Sequence, residues 1–335
     1  MKNNRTTVHD VARLAGVSIS TVSVVVNKKD KYISPELRRK VEDAVITLNY
    51  QPNLVARSLK IQQTKSIGLI VTNITSPIIP PLVRTIQKLA QQKGYDTFIV
   101  SSEEDAKIQN AAIRNMLAKR VDGIIICPTV SDDYELIQNA ISSIPVVSVE
   151  RQLPKTSSVF TNNKETAYQI ASHLIWHGYQ RIGMITMQVF GSNTRDRIDG
   201  YQLALIENQM LHPNLIRETD FVGLSAYDAA IDLIKTQKID AIMAASQSIT
   251  LGTYKAIMDL GMKIPEDVAI FGYDDLPWME VVNPSISTTH QPIPEIATKA
   301  FEILFAELES GEKTVQSHCI DTELIIRASC GCNQV

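Results

Sequence analysis

Short apolar runs alternate with helix-like segments from residue 66 onward, and the pattern starts again halfway along the chain. Residues 66–70 (SIGLI) are echoed by 181–185 (RIGMI), and residues 122–125 (DGII) are echoed by 240–243 (DAIM). Continuous apolar runs of this kind are typical of strands that are buried on both faces of a parallel sheet. We therefore predict two similar α/β halves, each built on a doubly wound parallel sheet.

In the first half, the apolar runs predict buried strands and the stretches between them predict helices. The strands are expected over 67–71, 97–100, 123–126 and 146–149, and two of the helices over 82–93 and 107–119. A cleft between two such halves is a common place for a small-molecule site.

Composition and length are those of a globular chain with more than one domain. The 335 residues are 44% hydrophobic and 21% charged, and no run of eighteen apolar residues exists. We therefore expect no membrane-spanning segment and a cytoplasmic location. Four cysteines in a chain of this length do not indicate a disulfide framework.

Charge is distributed unevenly along the chain. Residues 1–60 contain 11 Lys or Arg and 5 Asp or Glu, whereas the rest contains 22 basic and 31 acidic residues, for a net charge of −3. A basic head on an acidic body is compatible with nucleic-acid binding by the head, although many small solvated domains are also basic.

The head contains two short helical segments, 8–15 and 21–26, around the turn Gly16-Val17-Ser18. Thr7 is a good N-cap for the first segment, and the serine of the turn can cap the second. This arrangement predicts a helix-turn-helix. A third helix beginning at Ser34-Pro35 closes a small three-helix core. A generic helical hairpin would explain the turn, but not the basic surroundings or the small polar residues that open the second helix.

Two head segments carry a family resemblance. Residues 7–18 (TVHDVARLAGVS), with 21–23 (TVS) and Asn27, resemble the head of the lactose-repressor (LacI/GalR) family, and residues 48–59 (LNYQPNLVARSL) resemble its hinge. The resemblance continues through the core, at 120–123 (RVDG), 177–183 (HGYQRIG), 272–275 (GYDD) and 324–330 (LIIRASC). It covers nearly the whole chain.

The resemblance implies a domain order and an assembly. A helix-turn-helix head (1–50) is followed by a hinge helix and linker (51–65) and by a core like that of periplasmic binding proteins (66–335). The core would comprise an N-subdomain (about 66–161 and 292–321) and a C-subdomain (about 162–290 and 322–335), with chain crossings near Asn162, His290 and Thr322. A homodimer would bind a near-palindromic double-stranded DNA operator, with recognition helices in the major groove and paired hinge helices in the minor groove.

The resemblance also implies which residues contact DNA. Bases would be read by Ile19, Ser20 and Val24, phosphates would be held by Ser18, Thr21 and Asn27, and Leu59 would wedge into a central base step with Ala56 on the same face. The remaining candidates are Thr7, Ser23, Asn53 and Lys60. Because Ile19 and Val24 cannot hydrogen-bond guanine, we predict contacts with thymine methyl groups instead.

An effector pocket is predicted around two charged residues of the core. Asp274 follows a strand and can accept hydroxyl hydrogen bonds, while Arg197 can bring five donors to the opposite wall. The alternative is an Asp–Arg pair that stabilises a loop or hinge. The resemblance adds the pocket positions Ile78, Ile79, Asn162, Asn193, Leu224, Ser246 and Ile293. The scarcity of aromatic residues at these positions favours a sugar or sugar derivative over a purine.

No enzyme motif is present, so no catalytic residue, cofactor or metal is expected. No G-x-G-x-x-G or phosphate-binding loop occurs, and residues 223–227 (GLSAY) lack the second glycine of a nucleophile elbow. His173 and His177 are interpreted as residues on a helix face, and Cys330 and Cys332 as plain thiols without zinc-site spacing. Two alternatives stay open: a regulator controlled by a protein corepressor, and an α/β enzyme with a basic head.

Control by an effector is expected to work through closure of the two halves. Closure would change the spacing of the hinge segments in the dimer and thereby alter DNA affinity. The sequence leaves open whether the effector releases the protein from DNA or strengthens its binding. No leucine heptads follow the core, so the expected assembly is a dimer without a tetramer-forming helix.

Overall fold

The computed structural model describes residues 6–27, 32–51, 63–129, 135–188, 191–219 and 223–332. The chain divides into two compact units, residues 1–64 and residues 65–335. We refer to them as the head and the core, and each is described by itself.

The head contains three helices: α1 (Val8–Ala15), α2 (Ile19–Val26) and α3 (Pro35–Thr47). The chain turns by 104° between α1 and α2, which is an angle typical of a helix-turn-helix. The predicted caps are present: Ser18 Oγ accepts the backbone N–H of Thr21 at 3.2 Å, and Ser34 Oγ accepts that of Leu37 at 3.4 Å. The predicted helix-turn-helix is confirmed.

One valine from each helix forms the centre of the head. Val11, Val22 and Val41 are fully buried, and small residues close the cluster around them. Leu37, an apolar residue in the first turn of α3, is 38% exposed and does not contribute to this cluster. With so few apolar side chains available, truncating any one of the three valines should remove a large share of the head's stability.

The core contains helices and strands in alternation. In its described part, the strands are β1 (Ser66–Val71), β2 (Asp96–Ser101), β3 (Gly123–Ile126), β4 (Val146–Val149), β5 (Ser157–Thr161), β6 (Ile182–Met187), β7 (Ile216–Thr219), β8 (Ala241–Ala244), β9 (Ala269–Phe271), β10 (Thr288–His290), β11 (Ser317–Ile320) and β12 (Glu323–Ile325). The helices are α4 (Ile79–Gln92), α5 (Ala106–Ala118), α6 (Glu135–Ser143), α7 (Asn163–Trp176), α8 (Ser192–Glu207), α9 (Gly223–Gln237), α10 (Gln247–Asp259), α11 (Pro277–Val281) and α12 (Ile293–Ser310).

Two parallel sheets organise the core. The first has the strand order β11-β5-β4-β3-β1-β2, and the second has the order β7-β6-β8-β9. The echoed segments found in the sequence are the central strands of the two sheets, β1 beside β3 and β6 beside β8. The prediction of two similar doubly wound halves is therefore confirmed.

β2 differs from the other predicted strands because it lies at the edge of the first sheet. Its residues are exposed or half-buried, and Phe98 is 42% exposed. The sequence predicted a strand buried on both faces, and that was wrong for this strand. An edge strand has a neighbour on one side only, so part of its surface faces solvent.

The chain passes between the sheets three times. It leaves β5 for α7, returns through β10 to α12, and leaves β11 for β12, which pairs antiparallel with β10. The side chain of Asn162 joins the first and third passages, since its Nδ2 donates to Asp321 Oδ1 at 3.1 Å and its Oδ1 accepts the Thr322 N–H at 2.9 Å.

A close approach of α8 to α7 fixes the depth of α8 on the second sheet. A Cβ atom at Gly200 would lie 2.0 Å from the backbone oxygen of Lys164. Only glycine permits this contact, and it brings Arg197, which is on the same helix, against the sheet. In the described residues, no single helix is long and apolar enough to cross a membrane; α1 and α2 would reach that length and composition only as a bent pair.

Candidate functional site

A cavity of about 280 Å³ lies where the carboxyl ends of both sheets meet. It is at the end of the central strands, where the order of each sheet reverses, which is the usual ligand position in doubly wound folds. Its lining residues are Thr72, Asn73, Thr75, Ser76, Ile78, Glu104, Cys127, Glu150, Arg151, Met187, Asn193, Arg197, Ser246, Gln247, Ser248, Asp274 and Gln291.

Two carboxyl groups face the cavity, one from each sheet: that of Glu150 is buried and that of Asp274 is half-buried. Glu150 directly follows β4 and Asp274 follows β9, and both have left-handed backbone conformations, with φ of 67° and 64°. Burial raises the pKa of Glu150 to about 7, and the charge of Asp274 adds to the increase. Burial also raises the pKa of Asp274. A strained backbone and costly buried acids are typical of binding sites rather than of ordinary loops.

Arg197 reaches the cavity in a fixed orientation. Its Nε donates to Asn163 Oδ1 at 2.8 Å, its Nη1 donates to the Ala245 carbonyl at 2.6 Å, and its guanidinium lies 3.6 Å from the ring centroid of Tyr273. Among the ion pairs of the described residues, none joins Arg197 to Asp274. The alternative of an Asp–Arg pair that stabilises a loop is therefore not what the structure shows.

A second guanidinium, that of Arg151, is held by two hydrogen bonds of 2.7 Å to Glu104 and one of 3.0 Å to the Pro128 carbonyl. The Nε of Arg151 and the Oε1 of Glu150 are buried without a hydrogen-bond partner. Each such atom costs about 1–3 kcal/mol unless it is satisfied. Both atoms belong to lining residues, so a polar ligand could supply the missing bonds.

Five of the nine predicted effector residues line the cavity: Ile78, Asn193, Arg197, Ser246 and Asp274. Ile79 and Ile293 are instead buried in the apolar core of the first sheet. Asn162 belongs to the chain crossings described above. The side chain of Leu224 lies outside the described residues.

Sequence reasoning missed Glu150 and Arg151, although a signal was available. Both residues directly follow the predicted strand 146–149, and polar side chains at the carboxyl end of a parallel strand are positioned for ligand binding. It also missed Gln291, which directly follows β10 and lines the cavity. No local pattern distinguishes Gln291, because its role comes from the chain crossing.

The lining residues combine carboxyl, guanidinium, hydroxyl and amide groups. In the described part of the wall, no aromatic side chain contributes. Such a wall can both donate to and accept from several hydroxyl groups, but it offers no ring surface on which a nucleobase could stack.

On the head, α2 presents one face to solvent and the other to the apolar interior of the head. Ile19 is 42% exposed and Ser20 is exposed, whereas Val22 and Val25 are buried. The predicted base-reading residues Ile19, Ser20 and Val24 lie away from the buried face, with Ser23 between them on the same side. An exposed isoleucine at the start of such a helix is suited to contact with an apolar group outside the head.

Hydrogen bonds hold three of the predicted DNA-contacting residues, Thr7, Ser18 and Asn27, at the ends of the head helices. Thr7 donates to Asp10 from both its backbone N–H and its hydroxyl, at 2.9 and 2.7 Å, and Ser18 caps α2. At the other end of α2, Asn27 Nδ2 donates to the Ser23 carbonyl at 2.7 Å. The predicted residues Asn53, Ala56, Leu59 and Lys60 lie outside the described part of the chain.

Comparisons with known proteins cover both units. Residues 7–53 match the bacterial regulatory proteins of the lacI family, and residues 64–328 match the periplasmic binding proteins and sugar binding domain of the LacI family. The chain is 32% identical over 331 residues to the HTH-type transcriptional repressor PurR of Actinobacillus pleuropneumoniae serotype 3, covering 96% of this chain and 98% of that protein. It is also 32% identical over 332 residues to the ribose operon repressor of Haemophilus influenzae, with the same coverage.

The fold agrees with these relatives. The lac repressor dimer bound to operator and the anti-inducer ONPF matches with a TM-score of 0.85 and 26% identity, covering 98% of this chain and 99% of that one. The relatives are named as repressors and not as enzymes, in agreement with the predicted non-enzymatic regulator. Since the matches cover the head and most of the core, the chain belongs to the LacI family of bacterial regulatory proteins.

Proposed function

We propose that this protein is a homodimeric, sequence-specific transcriptional repressor whose operator affinity is set by a small polar effector, with a sugar or sugar derivative favoured. The observation that carries the proposal is the cavity at the carboxyl ends of both sheets, with its buried acids and unsatisfied polar atoms. The helix-turn-helix in the same chain supplies the DNA-binding surface. The names of the relatives, which include a ribose operon repressor and an operator-bound lac repressor, support both parts.

The chemistry of the wall favours a polyhydroxylated ligand. Asp274 and Glu150 can each accept hydroxyl hydrogen bonds, and Arg151 Nε is a buried donor in need of an acceptor. A ligand with adjacent hydroxyl groups both donates and accepts, so it satisfies all three. The volume of about 280 Å³ also suits a small ligand better than a large one.

Recognition of DNA is expected to use the exposed face of α2. Ile19 and Val24 offer apolar surface and Ser20 offers a hydroxyl, so thymine methyl groups should dominate the selected half-site. Two heads in a homodimer suit two half-sites of a near-palindrome. Such a protein acts where the DNA is, which is why we expect a cytoplasmic location.

Coupling between effector and operator would run through closure of the two sheets around the ligand. A ligand that bonds to residues of both sheets favours the closed arrangement. The size of the effect is set by the difference between its affinities for the closed and the open arrangement. Nothing in the described structure or in the relatives favours a protein corepressor over this mechanism.

A thermal-shift screen tests the effector proposal. The full-length protein is heated with D-ribose, other pentoses and hexoses, their phosphates, and purine bases. We expect a sugar or sugar derivative to raise the melting temperature, and the rise to disappear in Asp274→Asn but to persist in the matched variant Asp228→Asn, whose side chain is exposed. Stabilisation by purine bases alone would contradict the preference for a sugar.

Selection of bound sites from a random DNA pool tests the operator proposal. We expect a near-palindrome with thymines under the recognition helix and a deformable central step. Enrichment of guanine under Val24 would contradict the predicted reading. If the protein alone selects no site, the selection is repeated with the stabilising sugar, and failure in both conditions would contradict the proposed function.

A further inference from the structure

Two histidines and two cysteines converge at the far end of α7, away from the cavity. His173 and His177 lie four residues apart at the end of the helix, and Cys330 and Cys332 lie in the returning C-terminal segment. The four ligand-type atoms all lie within 4.8 Å of one another. His173 Nε2 is 3.2 Å from Cys330 Sγ, and His177 Nε2 is 3.0 Å from Cys332 Sγ.

These separations are close to those of a tetrahedral metal cage, the two direct His–Cys distances of 3.2 and 3.0 Å being slightly shorter than the ideal ligand separations. Zinc bonds of about 2.3 Å to sulfur and about 2.0–2.1 Å to nitrogen place neighbouring ligand atoms roughly 3.3–3.8 Å apart in a tetrahedron. The cross distance from His173 Nε2 to Cys332 Sγ, 3.7 Å, lies in the same range. Two neutral imidazoles and two thiols form only weak hydrogen bonds with each other, because S–H is a weak donor and sulfur a weak acceptor.

The backbone between the cysteines is shaped for this convergence. Gly331 has a φ of 96°, and a Cβ atom there would lie 2.9 Å from the Tyr179 hydroxyl and 3.4 Å from His177 Nδ1. A residue with a side chain would therefore be strained and crowded at this position. The left-handed glycine allows the two sulfur atoms to face the same pair of histidines.

The surroundings resemble the outer shell of a metal site. The single proton of the Ser287 hydroxyl is within reach of both the Arg327 carbonyl, at 2.9 Å, and Cys330 Sγ, at 3.1 Å, so a thiolate at Cys330 could attract it; Cys330 is fully buried. The ring of His173 packs edge-on against Phe271 at 5.8 Å between centroids, and Trp176 packs edge-on against His177 at 4.8 Å. Hydrogen bonds to sulfur and packing against the rings fix the orientation of metal ligands.

We propose that His173, His177, Cys330 and Cys332 bind one Zn²⁺ ion that fastens the C-terminal segment to α7. On binding, the two thiols lose their protons to solvent and the two imidazoles bind as neutral ligands. Four protein ligands leave no open position, so the role is structural rather than catalytic. From the sequence we predicted no metal, because the two pairs are more than 150 residues apart, Leu174 stands where a zinc protease has Glu, and Cys330-x-Cys332 lacks zinc-site spacing.

The test uses the full-length chain and the metal alone. Protein stripped with a chelator is dialysed against buffered Zn²⁺ and its metal content is measured; Co²⁺ then replaces Zn²⁺ for visible spectroscopy. We expect one metal ion per chain, and for Co²⁺ the intense visible absorption of a tetrahedral site with a thiolate charge-transfer band. Removal of the metal should lower the melting temperature.

Matched variants identify the ligands. Cys332→Ser and His177→Gln should abolish the cobalt spectrum, whereas Cys319→Ser, which removes an exposed thiol elsewhere, should leave it unchanged. Ser287→Ala should weaken zinc binding by about 10–100-fold, the usual cost of losing an outer-shell bond. Metal binding is independent of operator binding, so its failure would not affect the proposed function.

Three results would overturn the proposal. The first is wild-type protein that takes up no metal and shows no cobalt spectrum under reducing conditions. The second is a cobalt spectrum that survives in Cys332→Ser and His177→Gln. The third is a disulfide between Cys330 and Cys332 that persists under reducing conditions, detected as a loss of two hydrogens in the intact mass.

Discussion

Gln291 joins a carboxyl group of the cavity to a chain crossing. Its Nε2 donates to Asp274 Oδ1 at 2.5 Å, and its Oε1 accepts the Thr161 hydroxyl at 3.1 Å. Thr161 ends β5, where the chain first leaves the first sheet, and Gln291 follows β10, where the chain returns. One amide therefore connects a candidate ligand-binding group to two of the three passages between the sheets.

Gln291→Ala should destabilise the core by about 1–3 kcal/mol, because it removes the amide that donates to the half-buried carboxyl group of Asp274. The hydrogen bond from Gln291 lowers the pKa of Asp274, which burial raises. Its loss should raise that pKa further, so the destabilisation should be larger where Asp274 is ionised. Urea unfolding at a series of pH values from 8 down to 3 measures this difference. The exposed Gln169→Ala serves as the control, and an equal loss across the whole series would contradict the assigned contact.

Glu150→Gln should make core stability less dependent on pH. The folded pKa of Glu150, about 7, is above the ordinary 4.5, so the unfolded chain releases this proton first as the pH rises. The wild-type protein should therefore lose stability between about pH 4.5 and pH 7, by no more than roughly 3 kcal/mol. Glutamine cannot ionise, so the variant should be spared this loss.

Urea unfolding of wild type and Glu150→Gln at pH 5 and pH 8 measures the effect. Relative to wild type, the variant should have a higher free energy of unfolding at pH 8 than at pH 5. Glu165→Gln, at an exposed position on α7, should show no such gain. If the free energies of unfolding of wild type and Glu150→Gln change in parallel with pH, the carboxyl group of Glu150 does not titrate as the structure indicates.

Gly200→Ala should lower the free energy of unfolding of the core by about 1–3 kcal/mol, which is the usual range for overpacking. The new methyl group would collide with the Lys164 carbonyl, which is backbone and cannot rotate away. Because α8 must then move, Arg197 should also shift, and stabilisation by the bound effector should decrease. Urea unfolding and thermal shift with the best sugar measure the two effects. Leu203→Ala, on the exposed side of the same helix, should have little effect on either.

Val24→Arg should change which base is selected. Arginine can donate two hydrogen bonds to guanine, which discriminates against other bases by about 1–3 kcal/mol. Repeating the random-pool selection with the variant should therefore enrich guanine at one position of each half-site. Ile46→Arg adds the same charge at an exposed position of α3 and should leave the selected sequence unchanged. An unchanged sequence with Val24→Arg would show that residue 24 does not face the bases.

The fold could be predicted because its signals are local. Apolar runs identified β1, β3 and β4 with errors of at most one residue, and Ser18 and Ser34 marked the starts of two head helices. The helices α4 and α5 begin earlier than expected, by three residues and one residue. In α4 the reason is Pro80, which is compatible with the first turn of a helix but hides the start of the apolar pattern.

The site was less predictable because it depends on residues that are distant in the chain. Asp274 and Arg197 were found by residue type and family position. Glu150 was missed although it directly follows a predicted strand, and Gln291 became evident only when a chain crossing brought it to the cavity. Ile79 and Ile293 were placed in the pocket, whereas the structure buries both in the first sheet's core. Ile78 and Ile79 are neighbours at the start of α4. Successive residues of a helix point in different directions, so Ile78 lines the cavity and Ile79 is buried in the core.

The position of β11 at one edge of the first sheet has a consequence for synthesis on the ribosome. This strand pairs with β5, and α12 covers the same sheet, with Leu304 against Gly123. Both elements are translated after the whole second sheet. The head can fold as soon as it is translated, whereas the first sheet stays incomplete until α12 and β11 have been translated. A message truncated before β11 would yield a DNA-binding head attached to a core with an unpaired β5 edge, which is a template for aggregation.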